Sequence, residues 1–184
     1  MPIPITETFH PAVRADWRAW LMQHHASKKE VWLIGQWRSK KETTISYLEA
    51  VEEALCFGWI DSTVKKFDAD YSVQRFSPRR AKSNWTELNK HRVRRLIAAG
   101  LMTEAGLAKL PDLTLEPLAL APDILTALQA DSQTWANFQA FPDIYQRIRI
   151  TAIEESRTEP EQFKTRLDTF IDKTRQNKMY GSWE

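Results

Sequence analysis

The segment between residues 111 and 122, PDLTLEPLALAP, places the strongest limit on what this chain can fold into. Each of its three prolines lacks a backbone donor and disfavours a helical conformation in the residue before it. Because no regular helix or central strand can continue through such a segment, it is predicted to be a linker. The linker divides the chain into an N-terminal domain at residues 1–110 and a C-terminal segment at residues 123–184.

Before the linker, helical and strand patterns alternate. Ser46 and Glu49 match a capping box at the start of a helix, and Gly58 suits its end, where a positive φ is usual. Strands are predicted in three segments rich in β-forming residues, 31–37, 59–67 and 71–77, with a polar turn at 38–42. Further helices are predicted at residues 11–23, about 84–99 and 103–110.

After the linker, every pattern is helical. Helices are predicted to begin at Pro122, at Asp131 or Ser132, at Pro142 and at Thr158. The apolar face of the last helix is predicted to consist of Phe163, Leu167, Phe170 and Ile171. The fold class is therefore α+β: a small antiparallel sheet of about three strands packed with helices, followed by an all-helical C-terminal segment expected to dock on the first domain.

Composition and charge favour a cytoplasmic protein of ordinary globular type. Of the 184 residues 42% are hydrophobic, and the single cysteine cannot form a disulfide within the chain. The sequence has neither a signal-peptide pattern nor an apolar run long enough for a membrane span. The net charge of +2 combines 18 lysines and arginines against 12 acids over residues 1–110 with 8 against 12 over residues 111–184.

Common catalytic and metal-binding patterns are absent from the sequence. Cys56 lies in the last turn of a predicted helix, where the helix dipole disfavours a thiolate, so it is predicted to be a buried apolar residue. His24 and His25 are adjacent and would point about 100° apart on a helix, which suits a shared metal ion poorly. With no phosphate loop, nucleophile elbow or HExxH motif, no cofactor, metal site or catalytic residue is predicted.

A basic segment indicates a site for an anion. Residues 75–95 contain eight lysines and arginines and one acid. Three of these cations, Arg79, Arg80 and Lys82, lie in the loop before a helix whose predicted cap is Ser83. Because the free N–H groups at a helix start favour negative charge, this loop is predicted to bind an anion.

Asp61 stands directly after an apolar run, and a half-buried carboxylate needs a partner. If the predicted hairpin pairs symmetrically about its turn, Asp61 faces Ser77 and lies diagonally between Arg75 and Arg79. We therefore predict one ion-paired cluster of these three charged residues beneath a shallow pocket with tryptophan walls. A register shift of one residue would remove this arrangement.

Three segments, VEEALCFGWIDS, QRFSPRRAKSNWTELNK and RLIAAGLMTEAGL, resemble the YdeI/OmpD-associated family of bacteriocin-protection proteins. The resemblance extends over about residues 12–177 and is looser in the C-terminal helices. It implies a cytoplasmic bacterial protein with a small α+β part, a helical C-terminal segment and no established reaction or cofactor. The chain departs from the family pattern at Ser62, at Ala152, where tryptophan is usual, and at Ser156 and Arg157. The family pattern is matched by Cys56, Gly58, Trp59, Asp61, Arg75, Pro78, Arg79, Ser83, Trp85 and Asn89.

The candidate ligand site combines these motifs and consists of Trp59, Asp61, Arg75, Arg79, Arg80, Lys82, Trp85 and Asn89. The first hypothesis is a protein that binds a small anionic or peptide-like ligand at this site. The second is a nucleic-acid-binding protein that uses residues 75–95, although the acidic C-terminal half argues against it. The third is an enzyme with Asp61 as its acid or base, and a purely structural or protein-binding role is also open.

Overall fold

A computed structural model describes residues 3–35 and 45–183 of the chain. The end of the first predicted strand, at residues 36 and 37, and the predicted turn at 38–42 lie outside the described residues. The chain forms two compact units. The first unit is made of Met1–Ser83 and Val93–Asp112, and the second of Asn84–Arg92 and Leu113–Glu184.

The first unit contains a four-stranded mixed sheet. Its strands are β1 (Thr8–Phe9), β2 (Val31–Gly35), β3 (Trp59–Lys66) and β4 (Ser72–Pro78), in the order β1-β2-β4-β3. The pairs β2–β4 and β3–β4 are antiparallel, which confirms the predicted three-stranded antiparallel sheet. β1 adds a fourth strand, parallel to β2, that the sequence did not indicate because two residues show no periodicity.

Two helices of the first unit, α1 (Arg14–His24) and α2 (Tyr47–Cys56), pack against each other. Trp17 of α1 is fully buried, and its indole N–H donates to the carbonyl oxygen of Ala50 at 3.0 Å. Its ring stacks on Trp20 with 5.3 Å between centroids and lies 5.4 Å from Phe76 of β4. The core of this unit is therefore aromatic, with four tryptophans that are at most 8% exposed: Trp17, Trp20, Trp32 and Trp59.

A buried carboxylate also joins the two helices. The side chain of Glu53 on α2 is 4% exposed and accepts from Arg14 at 2.6 Å and from Arg18 at 2.7 Å. Both arginines come from α1 and remain about one third exposed. The charge of Glu53 is thus compensated by two cations, as a buried carboxylate requires.

Both ends of α2 follow the predicted signals. Ser46 accepts a hydrogen bond from the Glu49 backbone N–H, and the Glu49 carboxylate accepts from the Ser46 backbone N–H, which confirms the capping box. Gly58 has a φ of +71° directly after the helix, as predicted. The carbonyl oxygen of Cys56 accepts from both the backbone N–H and the hydroxyl group of Thr103, at 3.1 and 2.6 Å.

This last contact brings the short helix α4 (Glu104–Leu107) against the end of α2. The approach is close enough that a Cβ atom added at Gly106 would lie 2.2 Å from the Cys56 carbonyl oxygen. A Cβ atom added at Gly58 would lie 2.8 Å from Cγ of Lys109. Two glycines therefore define this junction.

The division between the units falls within α3 (Glu87–Ala98). The helix begins three residues later than predicted, because Thr86 rather than Ser83 caps it: the Thr86 hydroxyl oxygen accepts from the backbone N–H of Asn89 at 3.3 Å. Ser83 instead accepts from the backbone N–H of Arg80, at 3.0 Å. The predicted cap at Ser83 was wrong, since its hydroxyl closes a turn and not a helix.

The second unit is helical beyond the linker, as predicted. Its helices are α5 (Pro122–Gln129), α6 (Ser132–Ala140), α7 (Asp143–Glu154) and α8 (Pro160–Arg175). Asp131 caps α6 by accepting from the Thr134 backbone N–H at 2.7 Å, as predicted. Glu159, not Thr158, is the residue before α8. The predicted apolar face of α8 packs into the core of this unit, with Phe170 fully buried against Tyr145 and Phe138.

The C-terminal tail also packs onto this core. Trp183 meets Tyr145 edge to face at 6.0 Å, and Arg149 lies 5.0 Å above the ring of Tyr180. Arg149 also donates to the carbonyl oxygen of Ser182 at 2.7 Å. Across the described part of the chain, no helix combines the length and the low polarity that crossing a bilayer would need.

Candidate functional site

The register of the β3–β4 hairpin differs from the predicted one over half of its length. Near the turn, Val64 pairs with Gln74, as predicted, but Asp61 pairs with Phe76 instead of Ser77. Between these pairs, Ser62 and Thr63 stand opposite a single residue of β4, which is a β-bulge. The predicted register was wrong beyond the bulge, because an inserted residue leaves no signature in an alternating pattern.

The bulge moves Asp61 onto the face of β4 that carries Gln74. Asp61 Oδ2 accepts from the Tyr47 hydroxyl at 2.7 Å and from the Gln74 side-chain amide at 3.2 Å. The same amide donates to the carbonyl oxygen of Ser62 at 3.1 Å, so Gln74 satisfies a backbone group left unpaired by the bulge. Sequence reasoning missed both donors. Tyr47 directly follows the cap of α2, and nothing in the sequence points to its role. Gln74 is 1% exposed, and a polar residue buried in a strand indicates a hydrogen-bond partner nearby.

Arg75 is bound elsewhere. Its Nε and Nη2 atoms donate to one carboxylate oxygen of Glu30, at 2.7 and 2.5 Å, and Glu30 also accepts from Thr6 at 2.6 Å. The hydrogen bond from Thr6, followed by that from Arg75, lowers the pKa of Glu30. The predicted pairing of Arg75 with Asp61 was therefore wrong, because the bulge places the two side chains on different faces of the sheet.

Trp59 belongs to the core and does not form a pocket wall. It is 1% exposed, donates its indole N–H to the His25 carbonyl oxygen at 3.2 Å, and meets Trp20 edge to face at 5.8 Å. Trp85 and Asn89 both lie in the second unit, Trp85 just before α3 and Asn89 in its first turn. Asn89 accepts from Arg92 at 3.0 Å.

Arg79 is the charged residue that shares its surroundings with Asp61. It is 3% exposed, and its backbone N–H donates to the carbonyl oxygen of Gly58 at 2.9 Å. Burial lowers the pKa of its guanidinium to about 10, and the nearby Asp61 carboxylate opposes that effect. Of the two arginines predicted to interact with Asp61, Arg79 therefore does so, whereas Arg75 binds Glu30.

The residues that follow Arg79 form a tight turn, residues 79–83, which we call the cationic loop. Arg80 and Ser83 close it with two hydrogen bonds of 3.0 Å, one from each backbone N–H. Arg80 and Lys82 are both exposed. One buried and two exposed cations therefore follow one another within four residues.

Most of the basic segment at 75–95 is not available to a large polyanion. Arg92 is 4% exposed, and Lys90 has Glu87 as an ion-pair partner at 3.8 Å. Only three of its eight cations are exposed: Arg80, Lys82 and Arg95. A nucleic acid would find few phosphate contacts here, and phosphate contacts supply most of such binding.

The remaining chemical groups offer little reactivity. Cys56 is fully buried, and burial, followed by the negative charge of Glu53, raises the pKa of its thiol to about 11. Over residues 3–35 and 45–183, no group of three histidine, cysteine or acidic side chains is placed to hold a metal ion. Asp61 could serve as an acid or a base, and the two groups that donate hydrogen bonds to it are the Tyr47 hydroxyl and the Gln74 amide.

Comparison with known families assigns the two parts of the chain separately. Residues 9–109 match the model of a family described as a domain of unknown function, DUF8412. Residues 117–177 match the model described as bacteriocin-protection, YdeI or OmpD-associated, which confirms the family resemblance. The candidate site residues between Trp59 and Asn89, however, lie within the first match. No curated protein and no solved structure matches the chain. Since the first match covers more than half of the chain's residues, the chain belongs to the DUF8412 family, and the segment that matches the bacteriocin-protection, YdeI or OmpD-associated model follows at residues 117–177.

Proposed function

We propose that the first unit binds a small anionic ligand at the cationic loop. The observation that carries the proposal is the sequence of one buried and two exposed cations, Arg79, Arg80 and Lys82, in a turn closed by its own hydrogen bonds. The protein would act as a cytoplasmic binding protein, without chemistry of its own at this loop.

Electrostatics favours an anion at this position. A guanidinium in a poorly solvated place interacts more strongly with a negative charge than one in open water does. Burial lowers the pKa of Arg79 to about 10 because it disfavours the charged form, and an added anion would stabilise that charged form. Asp61 supplies one negative charge against the three cations of the loop, which leaves the region positive.

The small size of the cationic loop favours a small anion over a nucleic acid. The loop spans five residues, and its two exposed cations, Arg80 and Lys82, suit the oxygens of a single phosphate or carboxylate group. A long nucleic acid would need further exposed cations in a row. In the basic segment outside this loop, Arg95 is the only other exposed cation, so a small ligand is favoured.

The test is a thermal-shift titration with inorganic phosphate against sodium chloride at matched ionic strength. A ligand that binds only the folded chain adds about 2.7 kcal/mol to its stability at 100 times its Kd, so phosphate should raise the Tm. The double variant Arg80→Ala/Lys82→Ala should lose this rise, while its fold is kept because both side chains are exposed.

The matched control is the double variant Lys66→Ala/Arg95→Ala, which removes two other exposed cations from the first unit. It should respond to phosphate as the unchanged chain does. An equal loss in both double variants would mean that phosphate acts through general charge, and the proposal would fail. Arg79→Lys, which keeps the charge but not the planar donors, should weaken the phosphate response as well.

A further inference from the structure

A cleft in the second unit is not used by the cationic loop. It consists of two adjoining cavities along one side of α7, which share Glu87 and Thr151 in their walls. One cavity has a volume of about 240 Å³ and the other of about 190 Å³. All of the lining residues belong to the second unit, from Thr86–Lys90 and residues 114–155.

The smaller cavity is mainly apolar. Leu88, Ile148 and Ala152 contribute its apolar walls, and Ile148 and Ala152 lie one helical turn apart on α7. A closed apolar cavity of about 150 Å³ is large enough to bind benzene. This cavity can therefore receive an aromatic ring or a branched aliphatic side chain.

The larger cavity is polar and carries both signs of charge. Arg147 contributes a side chain that is 15% exposed; its Nη1 donates to the Glu116 carbonyl oxygen at 2.6 Å and its Nε to Asp143 at 2.5 Å. Among the described residues no acceptor is bound to its Nη2 atom. Lys90 lies in the same wall, and its ion pair with Glu87 is long, at 3.8 Å.

We infer that this cleft binds a molecule with an α-carboxylate beside an apolar side chain, which is the chemistry of a free amino acid or of the C-terminal residue of a peptide. The carboxylate would lie in the polar cavity, where Lys90 and the Nη2 group of Arg147 can donate to it. The side chain would fill the apolar cavity. Glu87, in the shared wall, is the acceptor for an α-ammonium group when one is present.

Two features support a ligand of this kind over a purely apolar or a purely ionic one. The polar and the apolar cavity adjoin and share two wall residues, so both parts of the ligand have a partner. Arg147 is held in place by two hydrogen bonds, so it loses little side-chain entropy when it binds a carboxylate.

The test is an NMR titration of the ¹⁵N-labelled full chain with four probes: L-phenylalanine, N-acetyl-L-phenylalanine, L-phenylalanine amide and L-alanine. We expect phenylalanine to bind with a Kd on the order of 1 mM, as its size allows, and to shift amide signals in α7 and at the start of α3. Alanine should bind at least about tenfold more weakly, because it leaves the apolar cavity empty. Binding of N-acetyl-L-phenylalanine would identify a peptide C-terminus as the ligand class, and its failure would identify a free amino acid.

Two variants localise the binding. Ala152→Trp should fill the apolar cavity and weaken phenylalanine binding at least about tenfold, whereas the control Ala136→Trp, at an exposed position of α6, should leave it unchanged. Lys90→Gln should weaken phenylalanine binding, and Lys164→Gln, at an exposed position of α8, should not. If Ala152→Trp does not fold, Ala152→Leu replaces it, with a smaller expected loss.

The inference would be overturned by any of three results. Phenylalanine could fail to bind at millimolar concentration, the amide could bind as tightly as phenylalanine, or Ala152→Trp and Lys90→Gln could both leave binding unchanged. Since none of these measurements uses phosphate or the residues of the cationic loop, they are independent of the proposed function.

Discussion

The first unit and the helices α5–α8 compensate their buried polar groups in different ways. In the first unit a carboxylate, Glu53, is buried between Arg14 and Arg18, and a guanidinium, Arg79, is 3% exposed. Among the described residues of α5–α8 the buried polar side chains are neutral: Thr134, Asn137 and Thr174. The charged pairs of these helices are partly or largely exposed. Removing charge should therefore destabilise the first unit far more than the helices α5–α8.

Glu53→Gln is expected to have the largest effect. It removes the shared partner of two arginines, and the loss of one member of a buried ion pair costs about 3–5 kcal/mol. Because Arg14 and Arg18 are about one third exposed and recover some hydration, we expect a loss at the lower end, about 3 kcal/mol, in urea unfolding. Glu52→Gln is the control: Glu52 binds Arg14 alone, so its removal leaves Glu53 to hold both arginines and should cost less than the removal of Glu53. Equal losses in both variants would contradict the special role of the buried carboxylate.

Asn137→Ala tests the neutral side of the comparison. The Asn137 side-chain amide donates to the carbonyl oxygen of Thr174 at 2.9 Å, near the end of α8. The Thr174 carbonyl oxygen keeps a second donor, the backbone N–H of Asn177 at 2.9 Å, so the substitution removes a hydrogen bond without leaving the carbonyl unsatisfied, a loss of about 0.5–1.5 kcal/mol. We expect a loss of about 1.5 kcal/mol and faster amide hydrogen exchange at the end of α8. The size of this loss should not depend on salt concentration, and a strong salt dependence would mean that charge contributes to stability at this position.

Tyr47→Phe removes one of the two hydrogen bonds to Asp61 and keeps the ring. A hydrogen bond to a charged acceptor contributes about 1.5–3 kcal/mol, but Tyr47 is 40% exposed and water can replace it, so we expect a loss of about 1 kcal/mol. Gln74→Leu, which removes the other donor together with the contact to Ser62, should cost more. The opposite order would show that the bulge is stabilised by something other than Gln74.

Arg157→Gln should have the smallest effect on stability. Hydrogen bonds from Arg157 lower the pKa of the exposed Asp123 carboxyl to about 2, from an ordinary value of 3.8. The contribution of this pair is complete above pH 3.8 and is lost as the pH falls through about 2. In the variant, an NMR titration should show the pKa of Asp123 returning toward 3.8, with little change of stability at neutral pH. An unchanged pKa would mean that the helix start, and not Arg157, sets it.

Local signals in the sequence were sufficient for most elements of the fold. The capping box at Ser46 and Glu49, the cap at Asp131 and the stop at Gly58 each depend on residues within one helical turn, and each is present. β1 was missed because its pairing with β2 joins segments more than twenty residues apart and leaves no local pattern.

The candidate site was predicted less well, for one physical reason. A β-bulge adds a residue to one strand, and it moves every side chain beyond it to the other face. The sequence therefore placed Arg75 beside Asp61, whereas Glu30 holds Arg75 and Tyr47 and Gln74 hold Asp61. The predicted interaction of Arg79 with Asp61 is still present, because two charges interact over a longer distance than a hydrogen bond spans.

The junction between α4 and the end of α2 couples the residue types that two distant positions can accept. A side chain at Gly106 would collide with the Cys56 carbonyl, and one at Gly58 would have to displace Lys109 and adopt a left-handed backbone. Either change would move α4 away. Without α4 in place Gly106 no longer needs to be glycine, whereas Gly58 still has the left-handed backbone that follows α2. In related sequences a change at Gly58 should therefore come with a change at Gly106, whereas Gly106 can change while Gly58 is retained, and the two glycines together mark distant chains that keep this junction.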